Sequence, residues 1–270
     1  MNMEWHGIDG PKNPVTGFLM WTHVLSSFLT TSGSTGMSAE ICERYTGLLE
    51  SPFSGLDFEN ITGCQNWVFT CILSIYTLRE WKDRAVATES LSLWELLAKA
   101  RMIRDRLENK MMEFSSRVSQ YRQNNCSVLS ADNPISPTAS FQREKWAITH
   151  VFALATKILL EVSVSGPYPS ISEIEKAVSQ IKEALDSLPS PHLLQYLSWP
   201  ICIAACMAQP AHYSFFTGLS SSTESSTLGI LPTVLKVAQG CWSLRETQHG
   251  GRGIDWCDSM RSLRVDLIFM

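Results

Sequence analysis

Three features of the sequence predict an all-α fold. Apolar residues recur at helical spacing through almost every long segment, alternating runs of β-branched residues are missing, and polar breaks containing serine, glycine and proline separate the periodic stretches. With 270 residues, 44% of them hydrophobic, and with nine Trp and eleven Phe, the chain can bury a sizeable aromatic core as one large or two small domains. The expected architecture is a multi-helix array of antiparallel helix pairs. Residues 1–61 read as a partly ordered N-terminal segment and 62–269 as the helical region, interrupted by a flexible linker at about 123–140.

Thr62-x-x-Gln65 has the spacing of a capping box and is expected to open the first long helix. Trp67, Val68, Cys71, Ile72, Ile75 and Leu78 follow so closely that most of this helix must be buried. Ser92-x-x-Glu95 is a second box, with Leu91 placed to staple onto Leu96, and opens a helix of ~8 turns. Its stripe runs Leu93, Leu97, Ala100, Ile103, Leu107, Met111, Phe114, Val118, Tyr121. Lys99, Arg101, Arg104, Arg106 and Lys110 lie elsewhere on the cylinder, interleaved with Glu95, Asp105, Glu108 and Glu113 as on a solvated face.

Gln123 to Ser140 is polar, aperiodic and contains Pro134 and Pro137, which makes it the linker and the expected site of proteolysis. The next helix carries Trp146, Ile148, Val151, Phe152, Ala155, Ile158, Leu159 and Val162, and stops at Ser165-Gly166-Pro167. A helix from Ser172, with Ile174, Ala177, Val178, Ile181, Leu185 and Leu188, closes at Pro189 and should pair with it as a hairpin. Ser190-Pro191 caps a helix from His192 toward Ala208 that the interior Pro200 should kink or divide. After a serine-rich loop at Ser220 to Ser226, two helices are expected, Thr227 to Arg245 and Asp255 to Phe269, the last with Trp256, Met260, Leu263 and Leu267 on one face.

Composition excludes several classes. The 22 basic side chains are outnumbered by 26 acidic ones, net charge -4, which is no electrostatic footprint for DNA. Eight cysteines without a Cys-x-x-Cys pair are neither a disulfide scaffold nor a zinc-finger spacing. Cys202 and Cys206 share an apolar helical face and read as buried, reduced thiols, as in the cytosol or nucleus. Met1 to Pro14 has no signal pattern, and the most apolar stretch, Trp146 to Val164, is broken by His150, Lys157 and Glu161, so neither signal peptide nor membrane span is expected.

Four constellations resemble active sites. The loop His249-Gly250-Gly251-Arg252-Gly253 is similar to an oxyanion-hole strand, but no Gly-x-Ser-x-Gly accompanies it. Glu246-x-x-His249 has the spacing of one di-iron ligand pair where two pairs and two more glutamates are needed. Asp255-x-x-Asp258 would need further carboxylates to hold magnesium, and Asp255 reads better as a helix cap with Asp258 beside it. His150, amid Ile148, Val151 and Phe152, reads as a core or boundary histidine before it reads as a base. No catalytic, cofactor-binding or metal residue is assigned.

Several strings then stand out in order: Thr62-Gly63-Cys64-Gln65-Asn66-Trp67, Val164-Ser165-Gly166-Pro167, Leu185-Asp186-Ser187-Leu188-Pro189, the run from Trp199-Pro200 to Met207-Ala208, Cys241-Trp242, and Asp255-Trp256. From about Asp57 to Phe269 the chain resembles the carboxy-terminal part of the fungal-specific transcription factor domain, the helical regulatory region of zinc binuclear cluster transcription factors. The resemblance implies a nuclear transcription regulator controlling a metabolic or biosynthetic gene set, not an enzyme. It implies partners among other regulators or the transcription machinery, with a homodimer and a small-molecule effector as further partners. The six-cysteine spacing and basic run of the family are not in this sequence. Zinc is therefore expected only in an N-terminal cluster missing here, and direct DNA or membrane binding by this chain is not expected. Members carry more helical sequence upstream than the sixty-one residues before Thr62, which reads as a shortened regulator or truncated gene. The alternative reading is a stand-alone helical interaction or inhibitor module acting on a related transcription factor.

Far-ultraviolet circular dichroism of the purified chain should show the double minimum of helix, and a strand-dominated spectrum would overturn the all-α reading.

Overall fold

The computed structural model describes residues 14–27, 37–51, 56–126, 137–219, 229–247, 253–267 and 269. In chain order the helices are α1 (Pro14–Ser27), α2 (Ala39–Glu50), α3 (Phe58–Thr62), α4 (Asn66–Ala87), α5 (Leu93–Cys126), α6 (Pro137–Ser165) and α7 (Ser172–Asp186). A 3-10 helix (Pro191–Leu197) leads directly into α8 (Ser198–Cys206), and α9 (Pro210–Gly218), α10 (Leu231–Thr247) and α11 (Trp256–Leu263) follow. No strand occurs among the described residues.

The arrangement follows from which helices lack a polar face. α8 has almost no polar side chain, and every one of its residues is buried. α6 is the one helix among the described residues long and apolar enough to cross a membrane, yet most of that stretch is enclosed by protein. It forms the central post, with α4, α5, α7 and α8 packed around it, while α10 covers α8, α11 covers α10, α2 lies on α4 and α1 on α3. All described helices draw on one core, to which α1 and α2 contribute Trp21, Val24, Leu25, Cys42 and Leu49. Tyr76 of α4 donates its hydroxyl to the Val24 carbonyl and ties α1 down.

Where polar groups enter this core they end helices or join them. Lys82 of α4 reaches the carbonyls of Ser163 and Val164 at 2.8 and 3.2 Å, closing the C-terminus of α6 with a cation. Burial pushes its pKa down. Arg104 of α5 grips the buried Glu161 of α6 at 2.7 and 3.1 Å, a two-nitrogen contact in which loss of the arginine strands a buried carboxylate. α8, whose last carbonyls are enclosed, receives Trp242 Nε1 on Ala205 O at 2.8 Å and Arg245 Nη2 on Cys206 O, both from α10.

The expected boundaries and faces need five corrections. Thr62 does not open a helix; it ends α3, donating to Phe58 O at 2.9 Å and accepting from Cys64 N at 3.2 Å, and α4 begins at Asn66 without a side-chain cap. Serine and threonine bond local backbone at either helix end, so the four-residue spacing alone does not give the direction. The Ser92 box stands on its serine side, Oγ accepting from Glu95 N at 3.3 Å. The buried stripe of α5, however, runs through Leu96, Ala100, Leu107 and Phe114, and Leu93 and Leu97 are exposed. The linker is shorter than expected, since 123–126 and 137–140 are helical; residues 127–136, with Pro134, lie outside the described residues.

Pro200 does not kink a helix. The segment divides, as one of the two expected outcomes, at Leu197–Ser198, and Pro200 occupies the first turn of α8, where no intrahelical donor is needed. α10 starts at Leu231 rather than Thr227, while the serine-rich stretch Ser220 to Ser226 lies outside the described residues. α11 stops at Leu263 because Arg264 turns left-handed at φ 54, with Val265 N on Met260 O at 3.1 Å. Leu263 is exposed, and Leu267 and Phe269 are buried from a non-helical tail.

Trp199 is almost fully buried and stacks on Phe152 of α6, ring centroids 5.6 Å apart and 11° from parallel, with no acceptor for its Nε1. Its contribution is therefore packing. Trp199→Ala should lower stability by about 3–5 kcal/mol in thermal or denaturant melts, and Trp199→Phe by clearly less; equal melting of wild type and Trp199→Ala would remove α8 from the core.

Candidate functional site

Of the residues weighed for chemistry, Asp255 and Asp258 take structural places. Asp255 caps α11, Oδ1 accepting from Cys257 N at 2.9 Å and Asp258 N at 3.2 Å, while Asp258 Oδ2 accepts from Asp255 N at 3.3 Å, a reciprocal capping box. Burial pushes the Asp255 pKa up. His249 lies outside the described residues. Among the described residues no three His, Cys, Asp or Glu side chains converge as a metal site would require. Cys202, Cys206 and Cys241 are buried free thiols. The pKa of Cys206 is pushed well up by burial and that of Cys241 by its Cys206 neighbour and burial, which leaves both as thiols.

Five of the basic residues of α5 are ion-paired. Lys99 pairs with Glu95 at 3.3 Å, Arg101 with Asp105 at 3.8 Å, Lys110 with Glu113 at 2.9 Å, Arg104 with Glu161 at 2.7 Å, and Arg106 with Glu50. A face so paired offers few charges to phosphate.

The densest polar geometry lies at 62–67. Gly63, at φ 78, turns the chain out of α3, and a Cβ there would come within 2.6 Å of Ile148 Cδ1 on α6, so only glycine fits both the angle and the approach. Thr149 Oγ1 donates to Gly63 O and accepts from Gln65 N, each at 3.2 Å, locking the turn to α6. Asn66 Nδ2 donates to Leu49 O at 3.3 Å and Leu56 O at 2.9 Å, and Asn66 Oδ1 accepts from Phe58 N at 2.9 Å, gathering the end of α2 and the start of α3. Gln65 Oε1 accepts from Trp67 Nε1 at 2.9 Å and from Arg117 of α5 at 3.3 Å. Five helices meet at this string. Composition suggested a helix cap; Thr149 and Arg117, far away in sequence, were the missing partners.

Beside this junction a cleft of about 800 Å³ opens between α5, α6 and α7. Its walls mix Phe114, Val118 and Trp146 with Arg143, His150 and Glu183. Tyr121 stands edge-on to Trp146 at 4.8 Å. His150 thus sits at a cleft wall, and burial pushes its pKa below the ordinary 6.5. The cleft takes residues from three helices, and no single segment signals it.

An all-α domain wrapped around two core helices, with a surface cleft in place of a reactive set among the described residues, is the class that this geometry defines. The model of the fungal specific transcription factor domain matches residues 15–270, and the chain belongs to that family. The match takes in α1 to α3, upstream of the Thr62 string. The chain is 34% identical over 207 residues to Transcription factor ntnD of a Nectria species, covering 77% of this chain and 34% of that protein. It is 32% identical over 223 residues to Transcription factor dibT of Pestalotiopsis microspora, covering 80% and 35%. It is 28% identical over 206 residues to Trichothecene biosynthesis transcription regulator TRI10 of Fusarium sporotrichioides, covering 76% and 43%. The chain therefore spans well under half the length of these relatives. No solved structure matches it.

The lowered pKa of His150 ties stability to pH. As pH falls, the unfolded chain protonates first, so the contribution of neutral His150 is complete above 6.5 and is lost as pH drops toward the folded-state value. Between pH 7.5 and 5.5 the wild type should lose more in Tm than His150→Gln; identical pH profiles would refute the assignment.

Proposed function

We propose that the protein to which this chain contributes the helical region is a nuclear transcription regulator of a fungal biosynthetic gene set. The observation that carries this reading is the family match over residues 15–270, together with relatives named as transcription factors and a trichothecene biosynthesis regulator. In this reading the chain is the regulatory part and no catalyst. Other regulators or the transcription machinery dock on its surface, and the cleft between α5, α6 and α7 suits an effector with both an apolar and a polar portion. DNA recognition belongs to a zinc cluster outside the chain. The acidic balance and the paired basic residues of α5 support that division of labour.

Disrupting the gene should change the transcript levels of a co-regulated biosynthetic set, and an unchanged transcriptome would refute the proposal. The purified chain should bind DNA weakly, without sequence preference, with a shallow salt slope and no response to zinc. Nanomolar affinity for a defined duplex near physiological salt would place recognition inside this chain instead.

A further inference from the structure

The connection that follows α7 carries a serine with no capping duty. Ser190 precedes Pro191, and the expected cap is not made; its hydroxyl lies instead 2.5 Å from His192 Nδ1. The backbone at Ser190 is extended, φ -154 and ψ 137, as a following proline favours. Asp186, Ser187, Pro189, Pro191 and His192 are exposed around it. Two further serines precede proline, Ser51 and Ser136, but Pro52 and Ser136 lie outside the described residues. Two side chains of α6 and the connection can carry positive charge beside Ser190. His192 stands with Nε2 3.9 Å from Glu144 Oε2. Arg143 is exposed, lines the same cleft as Ser187 and Pro189, and pairs with no carboxylate among the described residues. Lys145, by contrast, is committed to Asn60 at 2.6 Å.

We propose that Ser190 is a phosphorylation site for a proline-directed protein kinase, and that Arg143 and His192 hold the phosphate. Such a kinase takes its substrate as an extended chain in which the residue after the acceptor has no N–H, and the folded connection at Ser190-Pro191 presents both. The γ-phosphoryl group of ATP passes to Ser190 Oγ. The new P–O bond forms as the bond to ADP breaks, and the hydroxyl proton goes to the catalytic aspartate of the kinase. The product brings roughly two negative charges and three acceptor oxygens to a point that His192 Nδ1 already touches. A phosphate there is closer to the imidazole than Glu144 and more highly charged, so it takes His192 as its partner and favours the protonated ring. Glu144 and Asp186 are the opposing charges nearby in the chain and on α6. The uncommitted Arg143 offsets them, its planar fork matching two phosphate oxygens. The inference does not depend on the transcriptional reading.

Incubating the purified, folded chain with ATP and a mitogen-activated protein kinase, followed by intact-mass measurement and peptide mapping, tests the site. Phosphate should appear on Ser190. Ser190→Ala should lose it and Ser190→Thr should regain it on the threonine, both with wild-type melting because the hydroxyl caps no helix. Pro191→Ala should abolish labelling at Ser190. In the phosphorylated chain, the phosphorus resonance followed against pH reports the second ionisation of the phosphate, ordinarily at about 6. Arg143→Gln should move that midpoint upward, since a cation beside the phosphate favours its doubly charged form. An absence of phosphate on Ser190, labelling of Ser190 that ignores Pro191, or a midpoint unmoved by Arg143→Gln would each overturn the proposal.

Discussion

The enclosure of α8 is the constraint on which the rest depends. A nine-residue helix surrounded by protein satisfies its interior backbone internally, and a tight turn brings Met207 N to Ala204 O and Ala208 N to Ala205 O, each at 3.2 Å, but Cys206 O lies past that turn. α10 supplies the donors. Trp242 and Arg245 stand three residues apart on one face of α10 and reach Ala205 O and Cys206 O, and Arg245 also holds Ile254 O at 2.7 Å. Trp242 stacks on Tyr213 of α9 at 3.9 Å, which fixes the donor ring. The order of the last four helices follows from the need to cover one apolar segment and satisfy its end.

α11 is held by the same logic one layer out. Ser259 donates to Val237 O at 2.6 Å and Cys241 to Asp255 O at 3.3 Å. Gly240 permits that approach, because a Cβ there would lie 2.2 Å from Ser259 Oγ. The recurring strings thereby acquire reasons. Trp199 to Ala208 is the enclosed helix, Cys241-Trp242 serves its end, and Asp255-Trp256 caps and anchors the outermost helix. The Thr62 string does the equivalent work at the other end, where α2 to α6 converge. A lost donor at such a joint leaves a carbonyl inside the core without a partner.

Much of this was legible in the sequence. Helical spacing identified α4, α6 and α7 with their buried faces, glycine and proline marked the end of α6, and the apolar run from Trp199 announced a core helix. The Asp255 cap rests on local spacing and holds, and the solvated reading of the α5 basic residues holds for the local pairs of Lys99, Arg101 and Lys110 but not for Arg104, which reaches the buried Glu161 of α6, or for Arg106, which reaches Glu50 of α2. Local spacing failed where two outcomes share one pattern. Thr-x-x-Gln occurs where one helix ends as well as where another starts, and the Leu93–Leu97 stripe continues the core periodicity of α5 while facing outward.

The sequence by itself determined the helical class, the identity of the core helices and the absence of any reactive motif in its spacing, because these rest on contacts between residues one turn apart or less. Only the tertiary structure decided which of two apolar stripes on α5 is covered, that Gln65 answers to Thr149 and Arg117, that Trp242 and Arg245 end α8, and that α5, α6 and α7 leave a cleft between them. Each of these joins side chains brought together by packing across tens of residues. Hydrophobic periodicity says that a face must be buried but not by what, and the partner is fixed only when the helices have been set side by side.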